Sequence, residues 1–295
     1  MLRLGVDLGG TKIEAVVLGD DGEVLFRKRV RTPSHYDDRL GAIAALVADG
    51  EQAVGRSCTV GVGTPGSISP HTRLMQNAEN LEGRPLREDL AATLKREIRM
   101  ANDADCLALS EASDGAGSGH EVVFAAILGT GVGAGIVAHG RLLHRGPNAT
   151  TGEWGHNPLP APEDHERPGP ACYCGRTGCI ETFINGRGLA LAYREVTGED
   201  AAPENIALGD SLARVIALDR YALRLAKSLA TVINILDPDV IVLGGGLSNV
   251  ARLYDSVPPL LPRFVFSDGV KTPIVKAKHG DSSGVRGAAR LWDAG

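Results

Sequence analysis

The chain has 295 residues, of which 43% are hydrophobic and 4% are aromatic, and 38 are glycines. Its net charge is -5, from 31 basic against 36 acidic residues, which gives no electrostatic case for binding nucleic acid or an anionic membrane. No apolar run approaches the roughly 20 residues that span a bilayer, and the N-terminus enters a strand pattern without the apolar core of a signal peptide. The length predicts two domains, or one large domain with two lobes.

The first 30 residues predict a β-meander. Residues 4–18 hold two apolar strands on either side of an Asp-Leu-Gly-Gly-Thr-Lys turn, and a third strand follows. Backbone N–H groups around Gly10 and Thr11 can approach phosphate oxygens closely, because glycine has no side chain in the way. Asp7, at the end of the first strand, is placed to hold a magnesium ion through water. An ordinary hairpin turn is the alternative. The order Thr11-Lys12 and the strand that follows do not fit a P-loop, which indicates a different phosphate-binding turn.

A second glycine-rich stretch covers residues 59–68. A helix over residues 37–54 is predicted before it, and the stretch itself is a strand that runs into a glycine-proline loop. Its glycines match the dinucleotide-binding string Gly-x-Gly-x-x-Gly, but Pro65 and the lack of a following helix start argue against that role. Gly66 and, in the next polar loop, Asn77 are candidates to face a ligand.

Asp103 stands at a predicted junction between a strand and a helix. A helix over residues 86–98 and a short strand over residues 99–101 lead to Asn102 and Asp103, after which helical spacing resumes. One interpretation makes the aspartate the N-cap of the new helix. The other makes it a carboxylate that projects into a cleft and accepts a proton from a substrate hydroxyl. The sequence leaves both interpretations open.

Residues 122–138 repeat the opening pattern. An apolar strand, a glycine-rich turn and a second apolar strand occur again, followed by a third strand through Leu143. The offset of about half the chain predicts an internal duplication and therefore two similar lobes. Such lobes would place the turn at Gly10 and the turn at Thr130 and Gly131 on opposite walls of one cleft, which suits a bound polyphosphate.

Residues 152–181 carry a Cys-x-Cys-x4-Cys pattern with a histidine upstream. The thiols belong to Cys172, Cys174 and Cys179. Together with His156 they offer three sulfur ligands and one nitrogen ligand, the set that a tetrahedral zinc ion prefers. Because the loop before the cysteines is polar and proline-rich, it has few side chains for a core, and a structural ion would fix its two ends. A free-thiol cluster or a redox pair is the alternative, and His165 competes as the fourth ligand.

Two glutamates flank this motif. Glu153 lies just before His156, and Glu181 follows the last cysteine, so a closed zinc site would hold both glutamates and the histidine around something polar. The two other cysteines, Cys58 and Cys106, stand in apolar surroundings and are interpreted as core residues. This cysteine usage suits a reducing cytosol better than a disulfide framework, so a cytoplasmic location is expected.

The last third of the chain predicts helices, one buried strand and a triple glycine. The helices are expected over residues 185–195, 204–218 and 221–236. A strand over residues 239–243 opens onto Gly244, Gly245 and Gly246, where a flat ring such as adenine could lie against bare backbone. A plain tight turn is the alternative. The final helix, over residues 284–292, is expected to pack on the N-terminal lobe.

With these motifs in view, the sequence resembles the sugar kinases of the ROK family, and within it the bacterial fructokinases of the manno(fructo)kinase type. The resemblance covers essentially the whole chain and rests on DLGGTK, GVGTPGSISP, ANDADCLA, GTGVGAGI, GEWGHNPLP, CYCGRTGCIET, NILDPDVIVLGGG and KHGDSSGVRGAA. It implies two actin-like (ribonuclease-H-like) α/β lobes with an interlobe cleft and a homodimer. The lobes are expected over residues 1–118, with the C-terminal helix 284–295 packed on them, and over residues 119–283.

The resemblance also implies a role for each motif residue. Asp103 falls on the family's catalytic base. The sugar-contacting positions fall on Gly66, Asn77, Asn102, Glu153, His156 and Glu181. The zinc ligands fall on His156, Cys172, Cys174 and Cys179. The phosphate contacts fall on Gly10, Thr11, Lys12, Thr130 and Gly131, with Gly244, Gly245 and Gly246 behind the nucleotide.

The reaction that the resemblance implies is ATP plus D-fructose to ADP plus fructose 6-phosphate, with Mg²⁺ bound near Asp7 and a structural Zn²⁺. A kinase for glucose, mannose or an N-acetylated hexosamine is the alternative within the family. A sugar-sensing binding protein without turnover is the alternative from another class. Some relatives carry an N-terminal helix-turn-helix and act as repressors, but this sequence begins directly at the DLGGTK strand, so a DNA-binding part is not expected.

Overall fold

The structure is a computed structural model that describes residues 1–78, 80–143, 146–209 and 211–293. The strands are β1 (Arg3–Leu8), β2 (Lys12–Leu18), β3 (Val24–Arg31), β4 (Thr59–Thr64), β5 (Ser67–Ile68), β6 (Met75–Gln76), β7 (Arg99–Asn102), β8 (Val122–Leu128), β9 (Val132–Ala138), β10 (Arg141–Leu142), β11 (Val240–Gly244) and β12 (Ile274–Lys276). The helices are α1 (Tyr36–Val54), α2 (Leu86–Leu94), α3 (Asp103–Asp114), α4 (Ile180–Ile184), α5 (Gly186–Thr197), α6 (Pro203–Ala207), α7 (Leu212–Leu236), α8 (Arg252–Ser256) and α9 (Ser283–Arg290). In the described ranges, none of these helices combines the length and the apolar character needed to cross a bilayer.

The chain forms two compact units. Unit 1 consists of Met1–Gly119, Gly135–Thr151 and Lys278–Gly295, and unit 2 of His120–Ala134 and Gly152–Ala277. The predicted boundaries put residues 119–283 into one lobe, whereas residues 135–151 and 278–283 belong to unit 1 in the structure. Residues 278–283 are held in unit 1 by the buried carboxylate of Glu111, which accepts hydrogen bonds from the backbone N–H groups of Lys278 and His279. Residues 294 and 295 of the predicted last helix lie outside the described residues.

Unit 1 is built on a five-stranded sheet of order β3-β2-β1-β4-β7, in which the first three strands are the predicted antiparallel meander and β4 and β7 run parallel to β1. Alternation along β1 separates its two faces. Leu4 and Val6 join the core that includes α1, while Gly5 faces α9, where a Cβ would come 2.1 Å from the carbonyl oxygen of Val285. Gly61, from the dinucleotide-like string, meets α9 in the same way, so helix packing explains this glycine. Asp7 lies on the same face of β1 as Gly5, the face that is directed toward α9.

The second sheet repeats the topology of the first. Its order is β10-β9-β8-β11-β12, again three antiparallel strands and two parallel ones. Residues 135–138 of β9, together with β10, count with unit 1. The repeated order confirms the α/β fold with an internal duplication that the two glycine-turn patterns predicted.

The helices differ from the predictions at several places. α2 ends at Leu94, four residues early, because Lys95 takes a left-handed conformation (φ 52°) as its C-cap. The two helices predicted over residues 204–218 and 221–236 are instead the short α6 and the continuous α7. Between Leu212 and Leu236 there is no Gly or Pro, so nothing interrupts that helix. α4 and α8 were not predicted, because five residues are too few to show a helical period.

A buried ion cluster in unit 2 ties the loop before the cysteines to α7. Glu166 accepts a hydrogen bond from Arg224 Nε at 2.8 Å and from Lys227 Nζ at 3.0 Å, and Arg224 also bonds Glu195 at 3.1 Å. Glu166, Arg224 and Lys227 are 4%, 1% and 3% exposed. Although burial opposes its ionisation, the hydrogen bonds from Arg224 and Lys227 keep the pKa of Glu166 below its ordinary value. Two buried cations therefore face the buried carboxylate of Glu166 and the partly exposed carboxylate of Glu195.

We expect Glu166→Gln to lower the free energy of unfolding by about 3–5 kcal/mol, because it leaves two buried cations with one carboxylate. Urea unfolding followed by circular dichroism measures the change. Asp164→Asn, two residues away, is the matched control, since the Asp164 side chain is exposed and its pairing with Arg167 is a surface contact. Identical unfolding midpoints for Glu166→Gln and Asp164→Asn would contradict a stabilising role for the cluster.

Candidate active site and metal centre

Asp103 is the first residue of α3 and follows directly on the last residue of β7. The N-cap is its neighbour Asn102, which has extended backbone and whose Oδ1 accepts the Ala104 N–H at 2.9 Å. Asp103 Oδ1 accepts the same N–H at 2.8 Å, which orients the carboxylate at the helix N-terminus. Of the two interpretations open from the sequence, the structure gives the N-cap position to Asn102. The role of Asp103 as a proton acceptor stays a prediction.

A cavity of about 270 Å³ lies beside this junction in unit 1. Asn102 lines it and donates from Nδ2 to the carbonyl oxygen of Gly66 at 3.0 Å. Gly66 has φ +75°, and a Cβ there would lie 2.4 Å from the carbonyl oxygen of Gln76, so the turn requires glycine. Asn77, the other residue predicted here, adjoins this turn with φ 56° but does not line the cavity.

The wall of this first cavity combines hydroxyl groups, apolar side chains and the cationic side chains of Arg73 and Arg87. Hydroxyl groups come from Thr64, Ser67 and Ser69. Apolar side chains come from Ile68, Met75, Met100, Ala101 and Ala149. Ser67 Oγ accepts a hydrogen bond from Gln76 Nε2 at 3.2 Å, which leaves its O–H as a donor. The cavity therefore suits a small ligand that has hydrogen-bonding groups together with an apolar substituent.

Asp7 has an electrostatic environment that would favour a bound cation. Burial, and then the negative charges of Asp103 and Glu14, raise the pKa of Asp7 to about 6. A divalent cation would offset this repulsion, and a carboxylate oxygen is a ligand that Mg²⁺ accepts. The residues present therefore fit the predicted magnesium site.

We expect Asp7→Asn to stabilise the metal-free protein at pH 8 and to have no such effect below pH 4. A carboxyl group with a higher pKa in the folded chain (about 6) than in the unfolded one (3.8) favours folding while it is protonated, and this contribution is lost as the pH rises through 6. The higher pKa of Asp7 in the folded chain corresponds to a loss of roughly 2–3 kcal/mol in the free energy of unfolding at pH 8, which Asp7→Asn should restore. Urea unfolding at both pH values in EDTA measures it. Asp38→Asn, on the exposed face of α1, is the charge control, and an equal gain from Asp7→Asn at both pH values would contradict the assignment.

The two predicted phosphate turns lie in different units. In unit 1, the Gly9 N–H bonds the Lys12 carbonyl at 3.0 Å and closes a turn with Gly10 and Thr11 exposed at its tip. In unit 2, the Gly129 N–H bonds the Gly131 carbonyl at 3.1 Å. Each turn joins two antiparallel strands, as predicted. That the turns bind phosphate stays a prediction.

Four side chains form a cluster in unit 2 that could hold a metal ion. The donor atoms of His156, Cys172, Cys174 and Cys179 all lie within 4.8 Å of one another. Cys172 Sγ lies 3.5 Å from His156 Nδ1, and Cys174 Sγ lies 3.6 Å from Cys179 Sγ. Sulfur ligands around a tetrahedral zinc ion are about 3.8 Å apart, so the donor set and its spacing fit zinc. The structure groups His156, and not His165, with the three thiols, and that these four residues bind zinc stays a prediction.

The three thiols of the cluster differ in pKa, and therefore in how readily they lose a proton and bind a metal ion. Hydrogen bonds from Arg176 lower the pKa of Cys174 to about 6, whereas burial raises the pKa of Cys179 to about 12 and also raises that of Cys172. Thiolates, not thiols, are the ligands of zinc, so a bound ion would release protons from the buried pair. Cys58 and Cys106 are buried elsewhere, in unit 1, as predicted.

The residues predicted to surround the metal motif do lie around it. His156 directs Nδ1 toward the thiols, and its Nε2 lies 2.9 Å from the hydroxyl oxygen of Tyr173. The carbonyl oxygen of Glu153 accepts the His156 N–H at 3.2 Å, and Glu181 lines one cavity with Tyr173. Burial, and then the charges of Glu181 and Glu153, raise the pKa of Tyr173 to about 12. Glu181 Oε2 also accepts the Val132 N–H at 2.8 Å, which links the motif to the second glycine turn.

A second cavity, of about 370 Å³, adjoins that glycine turn in unit 2. Of the predicted nucleotide contacts, Thr130 and Gly246 line it, but the rest of the triple glycine does not. Gly244 is the buried end of β11, and Gly245 has φ +81° and packs where a Cβ would come 2.5 Å from the carbonyl oxygen of Leu128. The prediction is therefore wrong for Gly244 and Gly245, which pack within the protein, and a place of Gly246 behind a nucleotide stays a prediction.

Sequence reasoning missed two charged residues of this second cavity, Arg187 and Glu204. Each lies in the first turn of a helix, α5 or α6, and in the sequence both resemble ordinary exposed helix residues. The one signal was the Gly186-Arg187-Gly188 string, because glycine is unfavourable inside a helix. Gly188 is needed because a Cβ there would lie 2.2 Å from the backbone of Phe183.

Comparison with known proteins gives consistent matches over the full length. The model of the ROK family matches residues 3–294. N-acetyl-D-glucosamine kinase of Escherichia coli (strain K12) is 40% identical over 298 residues, with 97% of this chain and 98% of the relative covered. The crystal structure of the ROK hexokinase from Thermus thermophilus has a TM-score of 0.86 at 30% identity, covering 98% and 97% of the two chains. The ROK family glucokinase from Streptomyces griseus in complex with glucose and AMPPNP has a TM-score of 0.79 at 28% identity, covering 99% of each chain.

Proposed function

The chain belongs to the ROK family and is an ATP-dependent sugar kinase, and on that premise we propose that it phosphorylates O6 of N-acetyl-D-glucosamine. The fructokinase subtype expected from the motifs is not confirmed, since the curated relative reported above acts on an N-acetylated hexosamine. This acceptor is one of the alternatives that the sequence left open. Fructose, glucose and mannose are the competing acceptors.

The first cavity is the observation that carries the choice of acceptor. An acetamido group needs hydrogen-bond partners for its amide and an apolar wall for its methyl group. The Ser67 hydroxyl has a proton to donate to the amide oxygen, and Met75 and Met100 supply an apolar wall in the same cavity. A plain hexose would leave part of that wall without a partner. Asn102 lines this cavity next to Asp103, which supports placing the acceptor there.

Asp103 is proposed as the general base. The Ala104 N–H fixes Oδ1, so the carboxylate is oriented before the acceptor binds. As O6 attacks the γ-phosphorus in line, its proton passes to Asp103, the bond from the γ-phosphorus to the bridging oxygen breaks, and ADP leaves. Phosphoryl transfer requires positioning and charge neutralisation more than covalent chemistry. One carboxylate in a fixed orientation therefore suffices for the proton.

Asp7 is proposed to hold the magnesium ion through water. Magnesium, when bound with ATP, neutralises the charge of the phosphate oxygens. At neutral pH, the carboxyl group of Asp7, with its pKa of about 6, is mostly ionised and available for this contact. The proposed phosphate contacts are Gly10, Thr11 and Lys12 in unit 1 and Thr130 and Gly131 in unit 2, and Gly246 is proposed to lie behind the nucleotide.

Zinc is proposed as a structural ion. With three thiolates and one imidazole, all four positions of a tetrahedral ion are taken, so no open position remains for a water that could react. The ion would hold His156 in place. Glu153, His156 and Glu181 are proposed as acceptor contacts of unit 2, with Gly66, Asn77 and Asn102 as those of unit 1.

An ADP-release assay over a panel of hexoses tests the acceptor. We expect kcat/KM for N-acetyl-D-glucosamine to exceed that for glucose, mannose and fructose by at least about 10-fold, because only this acceptor fills the apolar wall. A preference for fructose would restore the fructokinase interpretation, and a preference for glucose or mannose would assign another acceptor. Sugar binding by calorimetry without ADP release for any acceptor would indicate a sugar-sensing protein.

A further inference from the structure

Arg187 lies between two cavities of unit 2. It is the second residue of α5, and it lines the cavity of about 370 Å³ next to Gly129 and Thr130. It also lines a cavity of about 270 Å³ next to Tyr173 and Glu181. We propose that Arg187 binds phosphate oxygens of the nucleotide and determines how tightly the polyphosphate chain is held. This inference rests on the proposed kinase function.

The helix itself gives no reason for an arginine at this position. A cation in the first turn of a helix is disfavoured by the macrodipole, whose positive end lies there. Arg187 is exposed and forms no ion pair within the described part of the chain. Arg194 near the other end of the same helix, by contrast, pairs with Asp200. A bound anion would supply the partner that Arg187 lacks.

The backbone that carries Arg187 is fixed to the second glycine turn. The Gly186 N–H bonds the carbonyl oxygen of Gly129 at 2.9 Å, and Asn185 Nδ2 bonds that of Thr130 at 3.2 Å. Asn185 Oδ1 also caps the helix by accepting the Gly188 N–H at 2.8 Å. The guanidinium group is therefore attached to a rigid base beside the turn. A planar guanidinium on such a base can bind two phosphate oxygens at once.

The charge of each substrate indicates which of the two Arg187 binds. The hexose acceptor is neutral, whereas the nucleotide carries a polyphosphate, so only the nucleotide offers a full negative charge to the guanidinium. The larger cavity also has apolar side chains, Pro203 and Leu247, against which a base can pack, and its other charged residue, Glu204, is an anion that would not bind phosphate. One cavity thus provides apolar surface for a base and a cation for phosphates.

The affinities of Arg187→Gln for ADP and adenosine, measured by calorimetry, test this assignment. We expect the Kd for ADP to rise by about 10- to 100-fold, the usual effect of losing a hydrogen bond to a charged group, and the Kd for adenosine to stay within twofold. Arg187→Lys keeps the positive charge but lacks the planar guanidinium group that can bind two oxygens at once, and it should raise the Kd for ADP by an intermediate factor. Arg194→Gln, an arginine of the same helix outside the cavities, is the matched control and should leave both affinities unchanged.

Three outcomes would overturn the inference. An unchanged Kd for ADP in both Arg187 variants would show that the guanidinium does not contact phosphate. A raised Kd for the hexose with an unchanged Kd for ADP would assign Arg187 to the acceptor. A wild-type protein that binds no ADP and releases none with any hexose would overturn the proposed kinase function together with this inference, whereas the first two outcomes leave that function intact.

Discussion

Replacing Asp103 by Asn should lower kcat with the preferred hexose by at least about 10²-fold while the Kd values for ADP and hexose stay within about threefold. The amide keeps the size of the side chain and an oxygen that can accept the Ala104 N–H, so the junction of β7 and α3 should fold as before. It has no basicity, so the proton of the attacking hydroxyl has no acceptor. Loss of a general base typically costs 10²–10⁴-fold. Steady-state kinetics and calorimetry measure the two effects separately.

Asp38→Asn is the matched control for Asp103→Asn. Asp38 also lies in the first turn of a helix of unit 1, so the control removes a similar charge near a helix N-terminus without touching the candidate site. Its kcat should equal that of the wild type. Turnover of Asp103→Asn within about threefold of the wild type would remove Asp103 from the role of base. A parallel rise in both Kd values would show a binding role instead.

Removal of the proposed zinc ion should abolish phosphoryl transfer and lower the melting temperature together. Cys179→Ser deletes one of four ligands at a site where Cys179 is 1% exposed and the neighbouring loop has few core residues of its own. Because metal binding supplies folding free energy to such a loop, we expect a fall of more than about 5 °C, with zinc content well below one ion per chain. Elemental analysis, thermal melting and the ADP-release assay measure the three quantities.

Cys58→Ala is the matched control for the metal site, since Cys58 is a buried cysteine of unit 1 outside the cluster. It should keep its zinc, and its melting temperature should fall only as far as the loss of one small buried side chain requires. Chelation of the wild-type protein should reproduce the behaviour of Cys179→Ser. An unchanged melting temperature after verified removal of zinc would refute the structural role of the ion.

Most of the fold follows from local sequence signals. The apolar runs on either side of glycine turns predict both meanders, and their repetition predicts the duplicated sheet, because each pattern is carried by residues close in the chain. The failures have physical causes. α7 is one helix because Asp219-Arg220 is polar but does not break a helix, and α2 stops early because Lys95 adopts a left-handed conformation that its residue type does not announce.

The site could be predicted only where the chemistry lies in a compact motif. The Cys-x-Cys-x4-Cys spacing brings its thiols together through one tight loop. His156 was preferred to His165 because Gly155 and Asn157-Pro158 place it in a defined turn. The prediction for the triple glycine was wrong because Gly245 packs against the backbone of β8. The sequence does not distinguish a glycine that packs closely from one that faces a ligand. Arg187 was missed because its significance depends on two cavities assembled from distant segments.

Asp7 is a residue whose proposed role in magnesium binding lowers the stability of the metal-free protein. Its carboxylate is destabilised by burial and by Asp103, and Asp7→Asn should therefore stabilise the metal-free protein at pH 8. The same substitution would remove the proposed contact to magnesium. Stability gained at the expense of activity is the usual result at a site where like charges are held together.

Phosphorus NMR of the reaction product is the most direct test. The protein, ATP and N-acetyl-D-glucosamine should yield ADP and an equal amount of N-acetyl-D-glucosamine 6-phosphate, identified by its coupling to the two C6 protons. Asp103→Asn under the same conditions should yield neither beyond about 1% of that amount. A phosphate on any other hydroxyl, or ADP formed with inorganic phosphate alone, would contradict phosphoryl transfer to O6 of this acceptor.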